Sequence, residues 1–197
     1  MELQNIKITF CLTGSHCTLD EILPELEKII QEGAEVQPVI SESVDTTDTR
    51  FGEAVEWKHK LVKMTGKKLA NSIVSAEPIG PRELADVLVI APCTGNTLAK
   101  LANGITDTPV TMAAKAQLRN QKPVIIALAT NDALGLNGKN LGILVNAKNV
   151  FFVPFSQDEP FRKPNSVVSN MKLIIPTILH ALEGKQLQPV LLSPEEE

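Results

Sequence analysis

The chain has 197 residues, 43% of them hydrophobic, and a formal net charge of −4; this is enough to bury one sizeable core and is most simply one domain. The negative balance, and the lack of a basic stripe with interleaved aromatic residues, argue against nucleic acid as the main partner. No apolar run is long enough to span a membrane, the N-terminus lacks a secretory pattern, and the three cysteines lack metal-ligand spacing, so we expect a cytoplasmic protein without a membrane span or metal site.

Strand and helix patterns alternate along the chain. In chain order, we predict a strand at 7–12, a helix from a Thr18–Glu21 capping box to about 32, a strand at 34–40, a helix at 49–65, a weak strand at 72–74, a strand at 87–90, helices at 94–102 and 109–119, a strand at 124–128, a short helix at 141–147, a strand at 150–153 and a helix at 167–182. Continuous apolar strands separated by helices indicate a parallel sheet covered on both faces. We therefore predict an α/β fold with a three-layer, doubly wound parallel sheet, Rossmann-like or flavodoxin-like, in a single domain of residues 1–190. A flexible acidic tail at 191–197 is expected to follow it.

The most informative segment is the turn at 91–97, Ala-Pro-Cys-Thr-Gly-Asn-Thr, which lies between a buried strand and a helix. In an open α/β sheet, ligands bind outside the carboxyl ends of the strands. Small residues let a flat or anionic ligand approach the backbone, and Thr94, Asn96 and Thr97 offer hydrogen bonds. The sequence therefore predicts a cofactor site at this turn.

Polar turns also follow the other predicted strands. Gly14-Ser15-His16 precedes a helix N-terminus, which suits a phosphate, although a plain strand-to-helix turn would look the same. The pattern is not G-x-G-x-x-G, so a mononucleotide fits better than a dinucleotide. Ser41 could complete a phosphate cup, and Thr130 and Asn131 would lie at the same sheet edge.

Together these motifs resemble the homo-oligomeric flavin-containing cysteine decarboxylase family. The resemblance rests on Leu-Thr-Gly-Ser at 12–15, Ala-Asp-Val-Leu-Val-Ile-Ala-Pro at 85–92 and Asn-Thr-Leu-Ala-Lys-Leu-Ala-Asn-Gly at 96–104, and it covers about residues 7–130. It implies FMN as cofactor, its phosphate near Gly14 and its isoalloxazine along the 91–97 turn, and assembly into trimers or multiples of trimers. The residues assigned to FMN are Thr13, Gly14, Ser15, Ser41, Pro92, Cys93, Thr94, Asn96, Thr97 and Thr130.

The chain departs from the decarboxylases where they handle substrate. Residues 77–80 replace a His and an apolar residue of that family, and 132–137 replace its Met-Trp element. The motifs at 11–18, 92–97 and 129–134 resemble instead a narrower group, over nearly the whole chain. That group comprises flavoprotein subunits that, with a pyridine-nucleotide-binding A subunit, make pyridine-2,6-dicarboxylate (dipicolinate) from dihydrodipicolinate in the mother cell of sporulating bacteria.

This narrower resemblance implies an FMN-dependent oxidoreductase subunit acting on a small dicarboxylate. Two alternatives are an FMN-dependent decarboxylase of a cysteinyl compound and a non-catalytic partner of the A subunit. We assign catalytic roles to His16 and Asn131; the alternative for His16 is a turn residue capped by solvent. Cys17 is expected to be a small buried hydrophobe and Trp57 a core or subunit-contact residue. The basic residues of 58–68 are either a solvated helix face or an attractor for a dianion.

Overall fold

The computed structural model describes residues 2–80 and 85–193, which form a seven-stranded sheet with helices on both faces. The strands are β1 (Lys7–Leu12), β2 (Glu35–Ile40), β3 (Val87–Cys93), β4 (Val124–Thr130), β5 (Val150–Phe152), β6 (Phe155–Gln157) and β7 (Val167–Ser169). The helices are α1 (Leu19–Gln31), α2 (Glu42–Thr46), α3 (Ala54–Thr65), α4 (Ile73–Ala76), α5 (Gly95–Ala102), α6 (Pro109–Arg119), α7 (Gly138–Val145) and α8 (Ile174–Leu182).

The five strands β2-β1-β3-β4-β5 are parallel and lie in the order of a flavodoxin-like doubly wound sheet. This confirms the predicted fold class. The sheet is nevertheless mixed, because β7 pairs antiparallel with the end of β4, at Ala129 and Thr130, and β6 pairs antiparallel with β7. The antiparallel pair is an addition that the sequence did not predict.

The central strands are apolar throughout because each is covered on both faces. In β3, Val87 and Val89 face one core while Leu88 and Ile90 face the other. Helices α1, α3 and α8 pack on the first face, and α4 to α7 on the second. This packing brings the carboxyl ends of β1, β3 and β4 to one edge of the sheet.

Two predicted elements are wrong. The weak strand at 72–74 is the start of α4, because the Ser72 hydroxyl accepts a hydrogen bond from the Ser75 backbone N–H in a capping box. The predicted helix at 167–182 begins with β7 instead and becomes helical at Ile174. Pro176 therefore lies in the first turn of α8, where its missing N–H leaves no hydrogen bond unmade.

The capping box predicted at the start of α1 is also absent. The Thr18 hydroxyl donates to the carbonyl of Ser15, at 2.8 Å, and caps no helical N–H. Three residues of 3₁₀ helix, His16–Thr18, connect the turn after β1 to α1.

The C-terminal segment is held further than the predicted domain boundary at 190. The Phe155 N–H donates to the carbonyl of Val190, at 3.0 Å, and the Leu192 N–H donates to the carbonyl of Phe155, at 2.8 Å. Residues 194–197 of the predicted tail lie outside the described residues. Within the described ranges, no helix has both the length and the apolar character needed to cross a membrane.

Candidate functional site

A cleft of about 510 Å³ opens at the carboxyl ends of β1, β3 and β4, a volume typical of small-molecule sites. Its walls come from the turns after these three strands and from residues 158–166, hereafter the β6–β7 loop. Six of the residues predicted to form the site line this cleft: Gly14, Ser15, Thr94, Asn96, Thr130 and Asn131.

The turn after β1 has no room for a side chain at Gly14. A Cβ there would lie 2.5 Å from Oγ of Ser43, which follows β2. Nε2 of His16 lies 3.1 Å from the same Oγ, and the two groups form a hydrogen bond. Gly14 and His16 after β1, with Ser41 and Ser43 after β2, make up a polar group that we call the cup; Gly14 lines the cleft and the other three do not.

Two buried polar atoms of this cup have no hydrogen-bond partner among the described residues. They are Nδ1 of His16 and Oγ of Ser41. Ser41 directly follows the β1–β2 register pair Leu12–Ile40, so it lies beside the end of β1. Buried polar atoms are normally hydrogen-bonded, and two unpaired ones next to a glycine turn point to an absent polar ligand.

Burial lowers the pKa of His16 below its usual value of 6.5, because removal from water disfavours the charged imidazolium. The ring is therefore neutral near pH 7 and carries one N–H donor and one acceptor nitrogen. Neutral His16 can donate a single hydrogen bond to an anion in the cup.

Thr13, assigned to the cofactor from the sequence, ties two strands together. Its Oγ1 donates to the carbonyl of Pro92, at 2.7 Å, and accepts from the N–H of Thr94, at 3.0 Å. The side chain is buried, and both bonds hold the end of β1 against the end of β3. Its predicted contact with a cofactor stays a prediction.

Pro92 and Cys93 belong to β3, and their side chains are buried in the sheet rather than exposed in the cleft wall. Burial raises the pKa of the Cys93 thiol strongly, and that of Cys11 likewise. Cys93 is therefore an inert thiol near neutral pH.

The turn after β3 caps α5. Oγ1 of Thr94 accepts from the N–H of Thr97, at 3.3 Å, and donates to its hydroxyl, at 3.1 Å. Thr97 is buried and does not line the cleft, whereas Asn96 is exposed and lines it. Within the predicted turn, Thr97 therefore belongs to the helix cap, Asn96 lines the cleft, and Thr94 does both.

Sequence reasoning assigned no role to Asp132, which the structure places in the cleft wall. Its Oδ1 accepts from the Thr130 hydroxyl, at 2.8 Å, and both carboxylate oxygens accept from Nδ2 of Asn137, at 2.9 Å. Asn137 accepts in turn from Asn140, which accepts from Asn103. Two sequence features could have identified this cluster: the polar run at the end of β4, and the i, i+3 spacing of Asn137 and Asn140.

The β6–β7 loop supplies the last wall of the cleft with Asp158, Lys163 and Ser166. Nζ of Lys163 lies 2.7 Å from the carboxylate of Glu159 and 3.3 Å from that of Asp158. These carboxylates raise the pKa of Lys163. No sequence pattern identified this wall, because it depends on the unpredicted pairing of β6 with β7.

Three further expectations have clear outcomes. Cys17 is exposed and lines the cleft, so the expected buried position is wrong. Trp57 is buried in the core beneath α3, as one of the two expectations had it. Of the basic residues of 58–68, Lys58 pairs with Asp45 at 3.1 Å, and no member of the group lines the cleft.

The residues present fit FMN. The cup of Gly14, His16 and Ser41 offers unpaired polar atoms and no carboxylate of its own, as a phosphate requires. The adjoining wall of small residues at Thr94 and Gly95 leaves space for a flat ring. Within residues 2–80 and 85–193, no group of three or more His, Cys, Asp or Glu side chains is placed to hold a metal ion.

Comparison with known proteins points the same way. Residues 1–175 match the model of a family described as flavoprotein. Over 190 residues the chain is 54% identical to the B subunit of dipicolinate synthase from Bacillus subtilis (strain 168), covering 96% of this chain and 95% of that protein.

Solved structures extend the comparison to the fold. The crystal structure of the dipicolinate synthase B subunit from Bacillus halodurans C superimposes with a TM-score of 0.90, at 50% identity and 98% coverage of both chains. The FMN-dependent cysteine decarboxylase SpaF superimposes with a TM-score of 0.67 at 20% identity, over 92% of this chain and 99% of that one. The second likeness shows a shared fold.

Proposed function

This chain belongs to the flavoprotein family, and from that premise we propose that it is the FMN-binding B subunit of an enzyme that oxidises dihydrodipicolinate to dipicolinate. The observation that carries the proposal is the identity of 54% to the B subunit of a dipicolinate synthase along almost the full length of both chains. The cleft adds chemical support, because Gly14 and Ser15, which adjoin the cup, line it together with a separate polar end at Thr130, Asn131 and Asp132.

The residues of the cup would hold the cofactor by its phosphate. Oγ of Ser41 and the neutral ring of His16 would donate to phosphate oxygens, and the absence of a side chain at Gly14 lets Ser43 pack against the same turn. When bound, FMN supplies a two-electron acceptor for a hydride taken from substrate carbon. The protein's task is to hold the ring and the substrate in register and to exclude water.

Forming the aromatic pyridine ring removes two hydrogens, one as a hydride and one as a proton. We assign the proton to Oδ2 of Asp132, which accepts one hydrogen bond, from Asn137, and keeps capacity for another. Asn137 and Thr130 fix the orientation of this carboxylate. Asn131, whose side chain is exposed in the same wall, would hydrogen-bond a substrate carboxylate.

The protein would work in the cytoplasm of a sporulating cell with a pyridine-nucleotide-binding A subunit, and it would assemble as a homo-oligomer, a trimer or a multiple of trimers. Support for assembly comes from large apolar side chains that are left exposed at Leu134, Leu136 and Phe161. Exposed apolar patches of this kind mark interaction surfaces.

Reconstitution tests the function. The chain, the A subunit, FMN and a pyridine nucleotide are mixed with dihydrodipicolinate, and dipicolinate is measured by chromatography. We expect product only when this chain and FMN are both present. Equal product without the chain would make it a non-catalytic partner, and carbon dioxide released from a cysteinyl substrate would make it a decarboxylase.

The role of Asp132 has its own test in the same assay. Asp132→Asn keeps the size of the side chain and one acceptor oxygen for Thr130 and Asn137 but cannot take the proton, so we expect turnover to fall about a hundredfold or more while FMN stays bound. The control is Asp107→Asn, at an exposed residue paired with Lys100. Full turnover in Asp132→Asn would remove Asp132 from the reaction.

A further inference from the structure

We propose that Lys163 binds one of the two carboxylates of the substrate and that the β6–β7 loop is built to place it there; the assignment rests on the function proposed above. The loop would thereby select dicarboxylates over monocarboxylates. Three features of the structure carry this inference: the charges in the cleft, the anchoring of the loop and the exchangeable partners of Lys163.

The first feature is the charge inventory of the cleft. Among the described residues that line it, the charged side chains are Asp132, Asp158 and Lys163, so Lys163 is the one cation. A dianion entering this space meets two carboxylates and would be repelled without a positive group. Lys163 is the only group of the described wall that can offset that repulsion.

The second feature is that the loop is fixed to the sheet. Two backbone hydrogen bonds close its base. The Asp158 N–H donates to the carbonyl of Ser166, at 3.1 Å, and the Ser166 N–H donates to the carbonyl of Lys163, at 2.9 Å. Nε2 of Gln157 donates to Pro164, also at 2.9 Å.

The same loop is attached to the opposite wall. Leu134 N–H donates to the carbonyl of Asn165, at 3.1 Å, and the Ser166 hydroxyl lies 3.4 Å from the carbonyl of Thr130. The backbone of Lys163 therefore has a set position relative to Asn131 and Asp132, which follow Thr130. A substrate held by that wall would have its second carboxylate toward the loop.

The third feature is the arrangement of anions around Nζ of Lys163. Glu159 holds the ammonium at 2.7 Å but does not line the cleft, whereas Asp158 lies at 3.3 Å and does line it. Asp158 has another partner in the Ser166 hydroxyl, at 3.2 Å. A substrate carboxylate can therefore replace Asp158 on Lys163, while Glu159 keeps the ammonium oriented.

The exchange is favoured because the resident ion pairs are partly exposed. About half of the Lys163 side chain and a third of each partner carboxylate are accessible to water, and pairs of this kind contribute little to stability. The neighbouring carboxylates raise the pKa of Lys163, so the group stays charged over the working pH range.

Binding of two pyridine acids to the FMN-loaded protein tests the assignment. Calorimetric titration with pyridine-2,6-dicarboxylate and with pyridine-2-carboxylate is carried out on the wild type and on Lys163→Met, which keeps the length of the side chain but not its charge. We expect the dicarboxylate to bind the variant roughly ten- to a hundredfold more weakly, the range for losing a hydrogen bond between charged groups. Binding of the monocarboxylate should change much less.

Three further variants sharpen the result. Lys185→Met removes a comparable exposed pair with Glu183, at 2.9 Å and outside the cleft, and should bind both acids like the wild type. Lys163→Arg should retain preference for the dicarboxylate. Asp158→Asn should bind it more tightly, because the competing anion is gone, and this variant keeps the test decisive if Lys163→Met does not fold.

The outcomes separate the two proposals. Unchanged dicarboxylate binding in Lys163→Met, or no gain in Asp158→Asn, would overturn the role of Lys163 alone. If the wild type binds FMN but neither pyridine acid, the proposed substrate class is wrong, and the assignment of Lys163 falls with it.

Discussion

The α-carbon of Gly95 lies where three polar side chains from the next strand turn converge. A Cβ on this residue would be 2.6 Å from Oδ1 of Asp132, 2.7 Å from Oγ1 of Thr130 and 2.8 Å from Nδ2 of Asn137. Glycine therefore permits the contact between the first residue of α5 and the Asp132 cluster. This close approach links the predicted cofactor turn to the end of the cleft that would bind substrate.

We expect Gly95→Ala to displace the Asp132 cluster, weaken FMN binding and lower the free energy of unfolding by about 1–3 kcal/mol. The matched control is Gly142→Ala in α7, where an added Cβ meets no atom within 4 Å and should stabilise the helix by about 0.5–1 kcal/mol. Urea unfolding and an FMN titration measure both effects. If Gly95→Ala unfolds in urea and binds FMN like the wild type, the close approach of α5 to the Asp132 cluster is not required for stability or for FMN binding.

The lowered pKa of His16 gives a pH dependence with a defined sign. The unfolded chain takes up a proton on this residue near pH 6.5, whereas the folded chain does so only at lower pH. The free energy of unfolding should therefore fall as the pH drops below 6.5, and it should recover as the pH rises to neutrality.

Urea unfolding at pH 7.5 and 5.5 measures the contribution of His16 to the pH dependence of stability. His16→Gln should show a smaller loss of stability between the two pH values than the wild type. His59→Gln, at an exposed position of α3, should lose as much as the wild type. The same pH dependence in His16→Gln and the wild type would contradict the assignment.

At the scale of elements, Thr9 within β1 and Thr13 just after it contribute to stability in opposite directions. Thr13 joins β1 to β3 through two hydrogen bonds. The hydroxyl of Thr9, in the interior of β1, is buried without a partner among the described residues. The same substitution at the two positions therefore separates a structural hydrogen bond from a buried unsatisfied hydroxyl.

Thr13→Val should lower the free energy of unfolding by about 1–3 kcal/mol, because it leaves buried backbone groups at Pro92 and Thr94 unpaired. Thr9→Val should leave stability unchanged or raise it, because it removes an unsatisfied hydroxyl. Chemical denaturation of the two variants tests the contrast. Equal losses of unfolding free energy in both variants would mean that the hydrogen bonds of Thr13 between β1 and β3 do not stabilise the fold.

The elements predicted best are those whose apolar runs are long enough to carry a period. The helix at Pro109–Arg119 has the predicted bounds, and β3 and β4 extend the predicted strands by only a few residues. The strands β6 and β7 have three residues each, too few for alternation to be recognised, and their pairing depends on contacts distant in sequence. Lys163 was missed for that reason.

Site prediction failed in a different way. Polar turns after β1, β3 and β4 were found because parallel strands share a carboxyl edge, and six of the chosen residues line the cleft. Thr13, Cys93 and Thr97 were chosen from the same turns, but their side chains face the core or a helix cap. Sequence position identifies a turn and does not determine which of its side chains point outward.

The whole molecule combines a flavodoxin-like sheet with an antiparallel addition at one edge. The five parallel strands create the cleft at their carboxyl ends, with the polar cup beside β1 and β2. The added strands β6 and β7 extend only the end of β4 nearest this cleft and supply its fourth wall. We infer that the turns after the parallel strands hold the cofactor and, through Asn131 and Asp132, one end of the substrate, while the antiparallel addition holds the second carboxylate of the substrate.

The proposed function depends most on FMN binding through the cup of Gly14, His16, Ser41 and Ser43. Its most direct test is an absorbance titration of the cofactor-free chain with FMN and with riboflavin, which lacks the phosphate, repeated on Ser41→Ala. The account predicts that the wild type binds FMN near one per chain and riboflavin far more weakly, and that Ser41→Ala loses affinity for FMN alone. Failure to bind FMN, or equal affinity of the wild type for FMN and riboflavin, would contradict it.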